Sequence, residues 1–161
     1  MLFVFVLLAV VVAATVHALV GSRPNAAGRS VVELFMVYLL AGYYGFAMLL
    51  AAFIHLTRPE AIADLKGWPV SRPVQTLYAF ALFGLAASSI LTIWFRGSYL
   101  LAPAISGSLL LLGGAYVHGS EIIAARRFVP AEDGPEVLLD FVVPTVVLAL
   151  TALHQCHTRT R

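Results

Sequence analysis

Charged residues are scarce in this sequence: Asp, Glu, Lys and Arg make up only 11% of its 161 residues. A soluble domain has about a quarter of its residues charged, so this chain has too few polar side chains to cover a water-facing surface. Lys and Arg number 10 against 8 Asp and Glu, a net charge of +2, and they form no long basic run. Nucleic-acid binding needs such clustering against phosphates, so the charge pattern excludes a nucleic-acid partner.

Cysteine is almost absent as well. The single Cys156 excludes an internal disulfide framework and a CxxC redox pair. The sequence also contains no internal repeat and no low-complexity linker, so we expect one domain over residues 1–161.

Long apolar runs are what the chain does have. Hydrophobic residues make up 61% of it, and the mean hydropathy is +0.94. A membrane-spanning helix needs about 20 mostly apolar residues, and five runs meet that length: Leu2–Val20, Val31–Leu56, Val74–Phe95, Tyr99–Ile123 and Glu136–Leu153. The first run could alternatively be a secretory signal, but it lacks the basic residues that normally precede one. The sequence therefore predicts an all-α integral membrane bundle of five transmembrane helices in a lipid bilayer.

A few ionisable and amide side chains interrupt these runs, and most fall at one membrane face. Alternate threading of the five spans brings together the end of the second, the start of the third, the end of the fourth and the start of the fifth. These positions carry His55, Gln75, His118, Glu121 and Asp140. Because ionisable groups inside a membrane are expensive, they are candidates for a functional site. His17 and Glu33 fall at the opposite face.

The spacing of His118 and Glu121 indicates which way they point. Residues three apart share one face of a helix, and the same face continues through Gly114 and Gly107. Glycines let a neighbouring helix approach closely in lipid, so we expect this face to point into the bundle.

Three interpretations of the cluster remain open. The first is a polar network that only holds the helices together. The second is a cofactor site, in which His55, His118, Glu121 and Asp140 bind a divalent metal, or His55 and His118 hold a haem axially. The third is an acid–base site with Glu121 as the proton-transfer group and His118 as its partner. The favoured hypothesis is a small-molecule or cofactor site formed by His55, His118, Glu121 and Asp140, in which Gln75 is an orienting residue that takes part in cofactor binding.

The function classes that follow are a protein that binds a lipophilic small molecule or cofactor, a non-enzymatic subunit, or a proton-coupled carrier; whether the chain is an enzyme is left open. We expect a homo-oligomer or a subunit of a membrane complex. Tyr43, Tyr44 and Phe46 are interpreted as packing and lipid-contact residues, and His154 and His157 as exposed residues of a C-terminal tail.

Several motifs between residues 50 and 145 resemble those of a small prokaryotic multi-pass membrane family catalogued as a domain of unknown function. They are Gly67-Trp68-Pro69 with Ser71, Pro73 and Gln75; His55 ahead of Pro59; Trp94-Phe95-Arg96-Gly97; Gly114-Ala115-Tyr116 with His118; Pro130 and Gly134; and Asp140 before Pro144. The resemblance implies a multi-pass fold, a prokaryotic cytoplasmic membrane and a set of positions to examine, but no reaction.

The sequence departs from that family at two places. The resemblance implies a carboxylate and an amide early in the third helix, where Leu77 and Leu82 stand here. The usual Pro-Gly-Asn-Ala-Gly turn is replaced by residues 130–134, Pro-Ala-Glu-Asp-Gly. If the missing carboxylate belongs to a site in that family, the site in this chain is reduced or different.

Overall fold

The computed structural model describes residues 2–20, 30–66, 71–125 and 134–159, apart from the side chains at 64–66, 125, 136 and 157–159. The predicted motif Gly67-Trp68-Pro69 and residues 130–133 of the predicted turn lie outside the described residues. Within the described part the chain is all helical. Five helices are long and apolar enough to cross a membrane: Leu2–Val20, Val31–Thr57, Arg72–Ile93, Gly97–Ala124 and Val137–Cys156.

The first two spans consist of one α-helix and one helix with a π-helical segment in its middle. Helix α1 covers Leu2–Val20; the second span consists of α2 (Val31–Val37), a π-helical segment (Tyr38–Gly45) and α3 (Phe46–Thr57). The hydroxyl of Ser30 caps α2 by accepting a hydrogen bond from the amide of Val32 at 3.2 Å.

The remaining helices follow after short connections. Helix α4 covers Pro59–Lys66, α5 covers Arg72–Ile90, α6 covers Leu101–Ala125 and α7 covers Gly134–Arg159. The chain reverses between α5 and α6 at Gly97, whose φ of 65° is a conformation that favours glycine.

The helix neighbours determine where the site lies. Helix α6 packs along α7, α3 packs along α5, and the π-helical segment contacts both α1 and α5. Met36, Leu40, Tyr44, Leu100 and Val147 are fully buried between them. Helix α1 contributes least to the interior, since Ala14 is its buried residue. We call the end of the bundle at which α3 and α6 finish and α5 and α7 begin the polar end, and the other the opposite end.

Candidate functional site

His118 lies between two carboxylates at the polar end. Its Nδ1 is 3.8 Å from Oε2 of Glu121 on the same helix, and its Nε2 is 3.8 Å from Oδ2 of Asp140 on α7. The side chains of His118 and Asp140 are 17% and 21% exposed, whereas that of Glu121 is 44% exposed. Glu121 is thus the most exposed of the three groups, and His118 and Asp140 are both largely buried.

Two glycines allow α6 to make this contact. A Cβ atom at Gly114 would lie 2.9 Å from Oδ2 of Asp140, and one at Gly107 would lie 2.4 Å from the ring of Tyr44. Cβ atoms in real proteins essentially never approach other atoms so closely, so the absent side chains admit the carboxylate and the ring. The glycine face of α6 thus points into the bundle.

His55 and Gln75 form the other half of the polar end. Nδ1 of His55 donates a hydrogen bond to Oε1 of Gln75, which is an acceptor only. This bond assigns the proton of the neutral ring to Nδ1 and leaves Nε2 as an acceptor. The His55 ring also meets the ring of Tyr78 edge to face, with centroids 4.8 Å apart. Gln75 is buried, and its side chain holds the imidazole in one orientation.

One tyrosine, Tyr78, interacts with both halves. Tyr78, which contacts His55, also interacts electrostatically with Asp140, and so does Tyr43 of the π-helical segment. The two halves are therefore neighbouring parts of one polar end rather than separate features of the surface.

Metal binding needs several donors directed at one point. In the described part of the chain, no three His, Cys, Asp or Glu side chains are close enough together to hold a metal ion. The two nitrogens of the His118 ring point in different directions, so Glu121 and Asp140 cannot share one ion with this ring in the observed arrangement. The metal, haem and acid–base interpretations stay predictions; each carboxylate oxygen lies within ion-pair distance of a ring nitrogen but beyond the length of a direct hydrogen bond.

Sequence reasoning was wrong about His154. Helix α7 continues to Arg159, so residue 154 belongs to no tail, and the His154 side chain is only 3% exposed. The signal that was available is periodicity, since His154 continues the buried face of α7 through Val143, Val147 and Thr151. The side chain of His157 lies outside the described ones.

Tyr43 and Tyr44 are packing residues, as expected, but neither faces lipid: they are 4% and 0% exposed. Tyr44 also forms a buried hydrogen bond, 2.9 Å between its hydroxyl and Oγ of Ser108, which the sequence did not indicate. Phe46 is 50% exposed and fits the expected lipid contact. At the opposite end, Nδ1 of His17 lies 3.0 Å from the hydroxyl of Tyr38.

Five apolar helices packed in this way define the class of the molecule, a multi-pass α-helical membrane protein. Residues 1–160 match the model of a family described as a family of unknown function, DUF6790, and the chain belongs to that family. The family model spans far more of the chain than residues 50–145, to which the motif resemblance is limited. No curated protein and no solved structure matches the chain.

Proposed function

We propose that the polar end is a proton-transfer site that binds a small lipophilic molecule in the cytoplasmic membrane of a prokaryote. Glu121 exchanges protons with water, His118 relays them, and Asp140 delivers them inside the bundle. One observation carries the proposal: His118 has a carboxylate oxygen 3.8 Å from each ring nitrogen. An imidazole can accept a proton on one nitrogen while it releases one from the other.

His55 and Gln75 have a different task in this proposal. With Nδ1 committed to Gln75, Nε2 of His55 is an oriented acceptor for a donor group of the bound molecule. Tyr78 supplies an aromatic wall beside that acceptor. A small molecule with an apolar body and one exchangeable N–H or O–H group fits this combination.

The competing interpretation is a polar network that only stabilises helix packing. Functional polar groups usually cost stability, whereas structural ones provide it. A packing role predicts that His118→Gln lowers the melting temperature in detergent, whereas the proposed role predicts an unchanged or higher one.

The direct test is ¹⁵N NMR of histidine-labelled protein in lipid nanodiscs between about pH 5 and pH 8. We expect the His118 ring to change its protonation state over this range, and Asp140→Asn or Glu121→Gln to shift that change. His55 should keep its proton on Nδ1. A His118 signal that ignores both substitutions would overturn the proposal. Leu77→Ala, an exposed site on α5, is the control for nonspecific effects.

A further inference from the structure

The inward face of α7 carries an ionisable residue at each end of the bundle. Asp140 lies at the polar end and His154 at the opposite end, with buried Val143, Val147 and Thr151 between them. The 14 residues from Asp140 to His154 correspond to about 21 Å of helix at 1.5 Å per residue. Since a bilayer's hydrocarbon core is about 30 Å thick, the two groups lie towards opposite membrane faces.

His154 has a buried nitrogen that nothing in the described structure satisfies. Its side chain is 3% exposed, and Nε2 has no hydrogen-bond partner among the described residues. Burial of a polar atom without a partner costs free energy, so leucine would be the cheaper residue at this position. An unpartnered buried imidazole in a membrane helix is the kind of group that is retained for a task.

A second such atom lies on α5 at the opposite end. The hydroxyl of Ser89 is buried and also has no partner among the described residues. Beside it, Ser88 accepts a hydrogen bond through its carbonyl from the Tyr99 hydroxyl at 3.1 Å, which brings the start of α6 to this level.

Helix register places His154 at the level of the start of α6. Gly114 of α6 lies against Asp140 of α7, and the two helices are antiparallel neighbours with the same rise per residue. Counting back from that contact sets His154 opposite Leu100, the residue after Tyr99. Among the described residues, the opposite end therefore has two buried polar atoms without a hydrogen-bond partner.

The opposite end also carries titratable side chains on elements other than α7. Helix α2 packs against α7 and carries the partly buried Glu33 in its first turn. His17 of α1 and Arg96 of the turn before α6 are exposed there. Glu33 is the acidic group on an element packed against α7 at this end.

The middle of the bundle contains a polar contact between two helices and a proline in α7. The Tyr44–Ser108 hydrogen bond lies six residues from Gly114 along α6, or about 9 Å from the level of Asp140. Pro144, buried within α7, has no N–H to donate to the carbonyl of Asp140, so the helix lacks one backbone hydrogen bond at this position. Val143 and Val147 form an apolar barrier there, of the kind that gates conduction by excluding water.

We infer that the bundle carries protons across the membrane, with His154 as the exchanging group at the opposite face. The inference rests on the proposed role of His118. A proton that binds Nε2 of His154 moves through water admitted transiently past the valines to Asp140, and leaves through His118 and Glu121; the reverse direction uses the same groups. Each cycle moves one H⁺: the N–H or O–H bond that forms at each group breaks again when the proton passes to the next, and a counter-ion balances the transferred charge.

The test is a flux measurement on purified protein in liposomes that contain the pH dye pyranine and K⁺. Valinomycin lets K⁺ leave, and the resulting negative interior potential draws H⁺ in. We expect wild-type protein to acidify the interior faster than protein-free liposomes. His154→Leu should lower that rate at least about tenfold, which is a barrier increase of about 1.4 kcal/mol. His17→Ala, a histidine at the same end but outside the α7 face, should leave the rate unchanged.

Equal acidification by wild-type and protein-free liposomes would overturn the inference, and so would a His154→Leu rate equal to that of wild type. His154→Gln, which keeps hydrogen-bonding capacity but carries no proton, replaces His154→Leu if that variant does not fold, with the same expected loss. The NMR titration of His118 on the same wild-type preparation reports the proposed function separately. A titrating His118 without flux removes this inference alone, and a His118 that does not respond to its carboxylates removes the proposed function.

Discussion

Two histidines at the polar end have contrasting surroundings. His118, on α6, has a carboxylate oxygen 3.8 Å from each ring nitrogen, whereas His55, on α3, has an amide oxygen at Nδ1 and a phenol ring at its edge. A ring between two carboxylates can exchange protons at both nitrogens. A ring fixed by an amide has one assigned proton and one oriented acceptor. In the proposed function, the same residue type therefore transfers protons in one half and orients a ligand in the other.

The two halves of the polar end also differ in the contacts that position them. The carboxylate half depends on close helix approach at Gly107 and Gly114, whereas the amide half depends on a side-chain hydrogen bond between α3 and α5. Substitutions that act on one half and spare the other therefore test whether the difference is real.

Gly107→Ala should have the largest effect. The added Cβ would lie 2.4 Å from the buried ring of Tyr44, and overpacking of this kind costs about 1–3 kcal/mol. We expect a lower melting temperature in detergent and a changed His118 NMR signal, with His55 unaffected. Gly113→Ala is the matched control on α6, because nothing lies within 4 Å of its added Cβ. A Gly107→Ala variant as stable as Gly113→Ala would show that α6 does not depend on this close approach.

Gln75→Leu should come next. It removes the acceptor of the His55 proton at a buried position, at a cost of about 1 kcal/mol, since the partly exposed ring can recover a bond to water. We expect the ¹⁵N spectrum of His55 to become a mixture of tautomers while the His118 spectrum stays constant. Thr76→Val, an exposed polar site one residue further along α5, is the control. An unchanged His55 tautomer would mean that Gln75 does not orient the ring.

Gly114→Ala should have a smaller effect on stability and a specific effect on the site. Its Cβ would lie 2.9 Å from the end of the Asp140 side chain, which can move, and alanine gains about 0.5–1 kcal/mol over glycine inside a helix. We expect little change in melting temperature, but a displaced carboxylate and a shifted pH response of His118. If the pH response of His118 in this variant is identical to that in wild type, Asp140 does not take part in the proposed proton transfer through His118.

Glu60→Gln should have the smallest effect. Glu60 is exposed and pairs with Arg72 at 2.5 Å, and a hydrogen bond from its own backbone, followed by the Arg72 bond, holds its carboxyl pKa below the usual value. A lowered pKa in the folded state contributes stability above the unfolded pKa, and that contribution is lost as the pH falls through the folded value. We expect the melting temperature of the variant to fall slightly less than that of wild type on acidification. A steeper fall in the melting temperature of the variant than in that of wild type would contradict a lowered Glu60 pKa in the folded protein.

The placement of the polar end illustrates how far sequence reasoning could go. Helix ends follow from hydropathy, and alternation of the spans then assigns His55, Gln75, His118, Glu121 and Asp140 to one face without any coordinates. The partners within that face do not follow, because they depend on helix rotation and on which helices are neighbours. The pairing of His55 with Gln75, rather than with His118, is a result of α3 packing on α5.

At His154, by contrast, the prediction from the sequence was wrong. The sequence after Leu153 is polar enough to end a span, so the histidine was assigned to an exposed tail. Its burial depends on α7 continuing as a helix to Arg159 beside α6 and α2, and an isolated segment carries no information about those neighbours.

The sequence by itself determined that this is a five-helix membrane protein, because five apolar runs and a shortage of charge leave no other place for the chain than lipid. It also determined the inward face of α6, because Gly107, Gly114 and His118 repeat at helical spacing. Only the tertiary structure decided that His118 lies between two carboxylates, that Tyr44 bonds to Ser108, and that His154 is buried. The physical reason is that hydropathy acts on each span separately, whereas hydrogen bonds and burial depend on how neighbouring helices are rotated against one another.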